Sequence, residues 1–274
     1  MPELPEVEVI VRQLNRCRRL FESPISEIAL YKPNRWIGIT PEEIPQKMAG
    51  RILENITRRA KFIILTFDDN SRLVIHLRMT GKLICDANQE NELKYTREVF
   101  QFKNGSKLFF NDSRTLGRLY YIAPNEKIPE IEKLGVEPLS GDFSENILRK
   151  LLADCNPEIK DFLLNQTKIA GIGNIYASEI LFICKIHPER RTQTISPKEI
   201  QCLAQTIPWI LQRSIDFNGT TIIDFRNAEN KTGEFQKELK VYGRKDKPCT
   251  ICGTEIKRIV QKQRSSFFCE KCQK

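Results

Sequence analysis

Cys249-Thr-Ile-Cys252 and Cys269-Glu-Lys-Cys272 close the chain, separated by sixteen residues. In each Cys-x2-Cys pair one tight turn brings two thiolates to a common ion, and two such turns complete a tetrahedral zinc site. Sulfur at all four corners leaves no coordination position open, so the single Zn2+ expected here is structural. Between the pairs, Glu255 to Phe268 reads as a β-hairpin with Lys262, Gln263 and Arg264 at its tip. A ribbon of this size has no core of its own, so binding metal and folding are one event. Residues 243–274 are therefore expected to form a zinc ribbon.

Upstream of the ribbon the pattern is helical. Ile147, Leu148, Leu151 and Leu152 fit one helix, Ile159, Phe162 and Leu163 a second, and Ile175 to Phe182 and Ile200 to Ile215 two more. Gly171-Ile172-Gly173-Asn174 lies between two of them, where glycine permits a tight turn and backbone N–H groups can meet a phosphate. Gly219 to Gly233 is polar and reads as a long mobile loop. Earlier still, from Ile25 to about Ile122, the period changes to short apolar runs such as Phe62-Ile63-Ile64-Leu65 and Leu108-Phe109-Phe110. Asp68-Asp69-Asn70 and Lys103-Asn104-Gly105 separate them as turns, which predicts antiparallel strands in a sandwich or barrel. Before these strands, Pro5, Glu6 and Glu8 start a helix whose inner face is Val7, Ile10, Val11 and Leu14, running to about Arg19. The whole is an α+β multidomain protein. Its parts are a β-sandwich over 1–122, a linker over 123–142 rich in proline and glycine, a helical domain over 143–242, and the ribbon.

A chain of 274 residues with 40% hydrophobic and 29% charged residues is long enough for two modest domains and an appendage. It contains no run of eighteen apolar residues, so no membrane span is expected. The first twenty residues lack the apolar stretch of a secretory signal. Net charge is +9, and from Lys231 to Lys274 twelve Lys/Arg stand against five Asp/Glu, which concentrates most of the excess beside the metal module and points to phosphate. Cys17, Cys85, Cys155, Cys184 and Cys202 read as small core residues in a reducing cytosol, not as a disulfide framework.

The N-terminus reads Met1-Pro2-Glu3-Leu4-Pro5-Glu6-Val7-Glu8. A small second residue permits removal of Met1, and a free α-amine has a reference pKa of roughly 7.7–8 against about 10.4 for lysine. Far more of it than of a lysine is unprotonated at neutral pH, which suits nucleophilic attack on a sugar carbon. Proline is a secondary amine, so its adduct is an iminium that stays cationic and draws electrons. Glu3 would stand beside it as an acid/base group. The plainer reading of the same residues is a helix start bounded by proline.

Four segments together change that balance. MPELPEVE, Gln166 to Glu179 with GIGNIYASE, EFQKELKVYGR from Glu234 to Arg244, and the terminal cysteines resemble the formamidopyrimidine-DNA glycosylase family from end to end. The resemblance implies a glycosylase and abasic-site lyase that excises oxidised purines and cuts the backbone by β,δ-elimination, acting as a cytoplasmic, nucleoid-associated monomer on duplex DNA. The damaged nucleotide would be flipped out, since C1′ is shielded in the stack. Pro2 resembles the Schiff-base nucleophile, Glu3 the acid that assists base loss, Lys61 a phosphate-contacting lysine supporting β-elimination, and Arg264 the arginine assigned to δ-elimination. Asn174 is similar to a phosphate-holding residue of the helix–two-turn–helix segment, Lys160 to a further pocket lysine, and Tyr95 and Tyr242 to DNA-touching positions. Met79 and Arg114 fit the side chains that fill the hole left by the flipped base. The family commonly has Asp-Pro-Arg-Arg-Phe-Gly, whereas this chain has Asp112-Ser113-Arg114-Thr115-Leu116-Gly117, so Leu116 replaces the aromatic wedge. Leu116 leans mildly toward the endonuclease VIII-type alternative, which acts on oxidised pyrimidines. A relative that binds damaged DNA without cutting it is the other alternative.

Overall fold

Glu3 holds extended backbone (φ −104°, ψ −170°) and caps helix α1 (Leu4–Arg16) in a reciprocal capping box with Glu6, while Pro5 sits in the first turn where its missing N–H costs nothing. Val7, Ile10, Val11 and Leu14 are buried on one face, as their spacing predicts. The helix stops three residues short of Arg19. Cys17 leaves the helical region, and a 3-10 turn over Arg18–Leu20 swings Leu20 into the core. The computed structural model describes residues 2–31, 35–85, 95–223 and 225–274.

Among the described residues nine strands follow: β1 (Ile25–Leu30), β2 (Trp36–Ile37), β3 (Leu53–Arg59), β4 (Phe62–Phe67), β5 (Arg72–His76), β6 (Gly81–Cys85), β7 (Thr96–Phe102), β8 (Lys107–Asp112) and β9 (Arg118–Ile122), with a short helix α2 (Ile44–Met48) after β2. They form two sheets, ordered β1-β7-β8-β6 and β2-β9-β5-β4-β3. All pairings are antiparallel except that of β2 with β9, which the apolar runs gave no means to foresee. Both predicted turns are present. Asn70 and Gly105 adopt positive φ, and the side chains of Asp69 and Asn104 accept the N–H groups of Ser71 and Ser106. Ile28, Leu83, Phe100 and Phe110 of one sheet, Ile56, Ile63, Leu73 and Leu119 of the other, and the inner face of α1 belong to one buried cluster. This is the expected β-sandwich.

The second half contains a short α3 (Pro129–Glu132), then α4 (Glu145–Ala153), α5 (Ile159–Leu164), α6 (Asn174–Ile183) and α7 (Pro197–Asp216), and ends in a ribbon of β10 (Lys257–Gln261) and β11 (Arg264–Phe268). Ser144 caps α4 by accepting the Ile147 N–H. Phe182 of α6 packs with Val241, Ile256, Cys249 and Cys269, so the ribbon shares a small core with the helices.

Contacts divide the chain into two units, residues 1–132 with 217–234 and residues 133–216 with 235–274. The second half of the predicted linker is therefore not free. The Gly135 N–H donates to Gln166 O and the Ala170 N–H to Val136 O. Nor is 219–233 the mobile loop its polarity suggests. Phe225 and Ala228 enter the core of the first unit, and the Ala228 N–H donates to Gln13 Oε1 at 2.9 Å. Two apolar residues suffice to anchor a polar segment.

The expectation of unpaired core cysteines also needs correction, because Cys17 and Cys85 form a disulfide. The end of α1 and the end of β6 carry them to the rim of the same core from 68 residues apart, a separation with no local signature. Among the described residues no helix is long and apolar enough to cross a membrane.

Candidate active site and metal centre

The sulfur atoms of Cys249, Cys252, Cys269 and Cys272 all lie within 4.8 Å of one another. A tetrahedral ion about 2.3 Å from each sulfur requires spacings of this size. Cys249 and Cys272 are 3.9 Å apart and Cys252 and Cys269 are 3.4 Å apart. The first knuckle turns at Gly253, at positive φ, and Ile251 N–H points at the Cys249 sulfur. In the second, Gln273 accepts the Cys269 N–H and donates to Ile186 O. Four thiolates with backbone support fit zinc, which is structural here because every ligand position is filled.

Pro2 and Glu3 are buried at the head of α1; Met1 lies outside the described residues. Glu6, expected only as an acid at the start of the helix, turns out to be a junction. Its carboxylate accepts the Glu3 N–H at 2.8 Å and the Thr220 N–H at 2.7 Å, joining the N-terminus to segment 217–234. Gly219 (φ +82°) packs so near Glu6 that an added Cβ would lie 3.2 Å from Glu6 Cγ. A Cβ on Gly233 would meet Gly219 O at 2.1 Å, so close approach requires glycine at 233, while positive φ favours it at 219.

Lys61 follows Ala60 (φ +51°) in the β3–β4 turn and is 7% exposed, not a solvated strand-edge lysine. His76 ends β5 with its ring edge-on to Phe62. Burial, together with the positive charges of Arg78, Lys61 and Arg118, pushes the His76 pKa down to about 3. The neutral ring can accept, and His76 Nδ1 takes the Arg78 N–H at 3.0 Å. That bond shapes the turn leading to Met79.

Met79 (44% exposed) and Leu116 (46%) project outward. One buried carboxylate organises the two loops that bear them. Asp112 accepts the Gly117 N–H at 2.7 Å and the Arg114 N–H at 3.3 Å, pairs with Arg35 at 3.3 Å, and hydrogen-bonds the Thr80 hydroxyl. Arg114 is brought to within 4.0 Å of the Met79 sulfur. Thr115 stands at φ +55°, an uncommon conformation for a β-branched residue, in the sharp turn between them. Tyr95 is exposed at the head of β7.

In the second unit, Asn174 opens α6 after the Gly171 turn (φ +91°), which the Gln166 side chain holds by accepting the Gly171 N–H and donating to Ile172 O. Asn174 Nδ2 donates to Ser265 O at 2.9 Å, next to the exposed Arg264. Tyr242 packs edge-on to Phe267 with ring centroids 5.2 Å apart. Its backbone is set by Glu179, which sequence reasoning missed as a site-shaping group although it closes the GIGNIYASE motif. Glu179 accepts the N–H groups of Lys240, Val241 and Tyr242 at 2.8–2.9 Å. Burial raises its carboxyl pKa, against the pull of those three bonds. Lys160, which the family resemblance likens to a pocket lysine, is 1% exposed.

Residues 1–119 match the formamidopyrimidine-DNA glycosylase N-terminal domain, 134–226 the H2TH domain of that glycosylase, and 246–274 a zinc finger found in FPG and IleRS. The formamidopyrimidine-DNA glycosylase of Desulforamulus reducens is 40% identical over 278 residues, covering 100% of this chain and 99% of the relative. A Lactococcus lactis FPG mutant bound to Fapy-dG-containing DNA superposes with a TM-score of 0.91 at 34% identity, covering 99% of each chain. The wild-type Lactococcus lactis protein, bound to DNA containing an oxidised pyrimidine, gives 0.90 at 34% identity and the same coverage.

Similarity of this extent, with the fold and the ribbon in register, makes the protein a zinc-ribbon DNA glycosylase of base excision repair. More narrowly, the chain belongs to the formamidopyrimidine-DNA glycosylase family.

Two outcomes follow from the site. Cys269→Ser is expected to release the zinc and abolish DNA affinity while the first unit stays folded, as metal content, gel shift and near-ultraviolet dichroism would report. The second concerns pH. Because the folded-state pKa of His76 lies below its unfolded value of about 6.5, its contribution to stability is complete above pH 6.5 and is lost as pH falls toward 3. The loss at pH 5 is about 2 kcal/mol. Urea unfolding of His76→Gln should show a flatter pH dependence than the parent over pH 5–7; equal slopes would contradict the assignment.

Proposed function

We propose that the chain excises oxidised purines from duplex DNA and then cuts the abasic strand, with Pro2 as nucleophile. What supports this most is the burial of Pro2 and Glu3 at the head of a helix whose Glu6 is fixed from two sides. Once Met1 is removed, the Pro2 nitrogen attacks C1′ of the extruded nucleotide. The glycosidic bond breaks, the base leaves with a proton, and Glu3 assists ring opening. The resulting iminium acidifies the C2′ proton, whose loss expels the 3′ phosphate with Lys61 in support. A second proton loss, at C4′, expels the 5′ phosphate beside Arg264 and leaves a one-nucleotide gap. Met79, Arg114 and Leu116 fill the vacated stack, and Asn174 and Tyr242 hold the strand. Ile222 and Ile223, exposed on segment 217–234, would cover the flipped base. The chain would act as a cytoplasmic monomer in contact with the nucleoid.

Oxidised pyrimidines form the second reading, favoured by the leucine at 116 and by the lesion in the complex of the Lactococcus lactis relative. Leucine wedges a base step but offers less stacking area than an aromatic ring. The test is borohydride trapping on duplexes carrying 8-oxoguanine or thymine glycol. Covalent protein–DNA complex is expected with the processed N-terminus, and its loss in Pro2→Gly. Faster turnover of thymine glycol than of 8-oxoguanine would reverse the choice of substrate, and an enzyme that never traps would be a binder only.

A further inference from the structure

The start of α5 meets the ribbon through three side chains. Glu158 Oε2 accepts from Gln261 Nε2 at 2.6 Å, and Asp161 pairs with Lys262 at 2.8 Å. Lys262 is 75% exposed, so that ion pair contributes little. Lys160 differs in kind. At 1% exposure its Nζ donates to Ser265 O at 2.8 Å and to Ser266 Oγ at 2.5 Å. Ser266, also 1% exposed, bonds on to Gln261 Oε1, and Gln261 donates to Pro188 O at 3.3 Å. An ammonium withdrawn this far from water is retained only where acceptors replace its hydration, and these are such acceptors.

The position of the network is what matters. Gln261 pairs with Arg264 across the hairpin, and the intervening Lys262 and Gln263 both take positive φ, the two-residue turn that suits strand twist. Gln261 and Ser265 are thus the immediate supports of Arg264. The carbonyl of Ser265 receives both Lys160 and Asn174, so one oxygen ties the hairpin tip to α5 and α6. To touch a phosphate, Lys160 would have to give up its buried partners. We propose that Lys160 is a positioning residue, which holds the ribbon tip so that Arg264 is presented for the second elimination, and does not itself contact the lesion or the strand. This rests on the role given to Arg264 above.

The experiment uses the full-length, zinc-loaded enzyme on a duplex with one abasic site, with a sequencing gel resolving the β- and δ-elimination products. Lys160→Met keeps length and apolar bulk but deletes the ammonium. The ratio of δ to β product is expected to fall about tenfold, the scale of one lost charged hydrogen bond, with one zinc retained per chain. Ser266→Ala should shift the ratio the same way by less, and the double variant should fall no further than Lys160→Met alone. An unchanged ratio, loss of zinc, or equal loss of base release and both eliminations would overturn the proposal. Absence of borohydride trapping in the parent enzyme would instead defeat the function on which it rests, so the two failures are distinguishable.

Discussion

A single carboxylate, that of Glu6, decides where the N-terminus lies. Buried to 1% exposure, it has replaced water with the N–H of Glu3 on one side and the N–H of Thr220 on the other. A buried carboxylate left without such donors would cost several kcal/mol, so the two partners are obligatory. The consequence is geometric. A chain terminus, ordinarily among the most mobile parts of a protein, is fixed at its third residue by a helix cap and by a segment more than two hundred residues away. A nucleophile at position 2 needs such fixation, since reactivity depends on holding the amine in line with its target.

The same device recurs wherever a functional side chain must be presented from a loop. Asp112 gathers two backbone N–H groups, a hydroxyl and an arginine, and by doing so fixes the turns bearing Met79, Arg114 and Leu116. Glu179 gathers three backbone N–H groups and sets the backbone of Tyr242. Met79, Arg114 and Leu116 are exposed, Tyr242 is half-buried, and the organisers Asp112 and Glu179 are buried. Leu116 is exposed and Asp112 buried, so a larger side chain at 116 would leave the Asp112 bonds undisturbed, which explains how this position can depart from the family pattern while the loop remains intact.

What could be read from the residues was what depends on local spacing. The cysteine tetrad, the inner face of α1, the hairpin turns at Asn70 and Gly105 and the four longer helices of the second unit all express periods or turn chemistry within a few residues. What escaped depends on long-range closure. The Cys17–Cys85 bond, the parallel pairing of β2 with β9 and the anchoring of 217–234 by Phe225 and Ala228 join positions with no common local pattern. Lys160 shows the limit most plainly. Nothing in its local pattern indicates that Ser265 and Ser266, far along the chain, supply the acceptors that hold it in the interior.

Because residues 217–234 complete the core of the first unit, that unit is not a continuous stretch of polypeptide. On the ribosome its sandwich would emerge early but lack Phe225, Ala228 and the Thr220 donor until most of the message had been read. Domains usually mature in the order they are made; here the earliest portion waits for a late one. The head of α1 thus acquires its fixed setting only when most of the second unit has been made, so the reactivity proposed for Pro2 would await near-completion of synthesis.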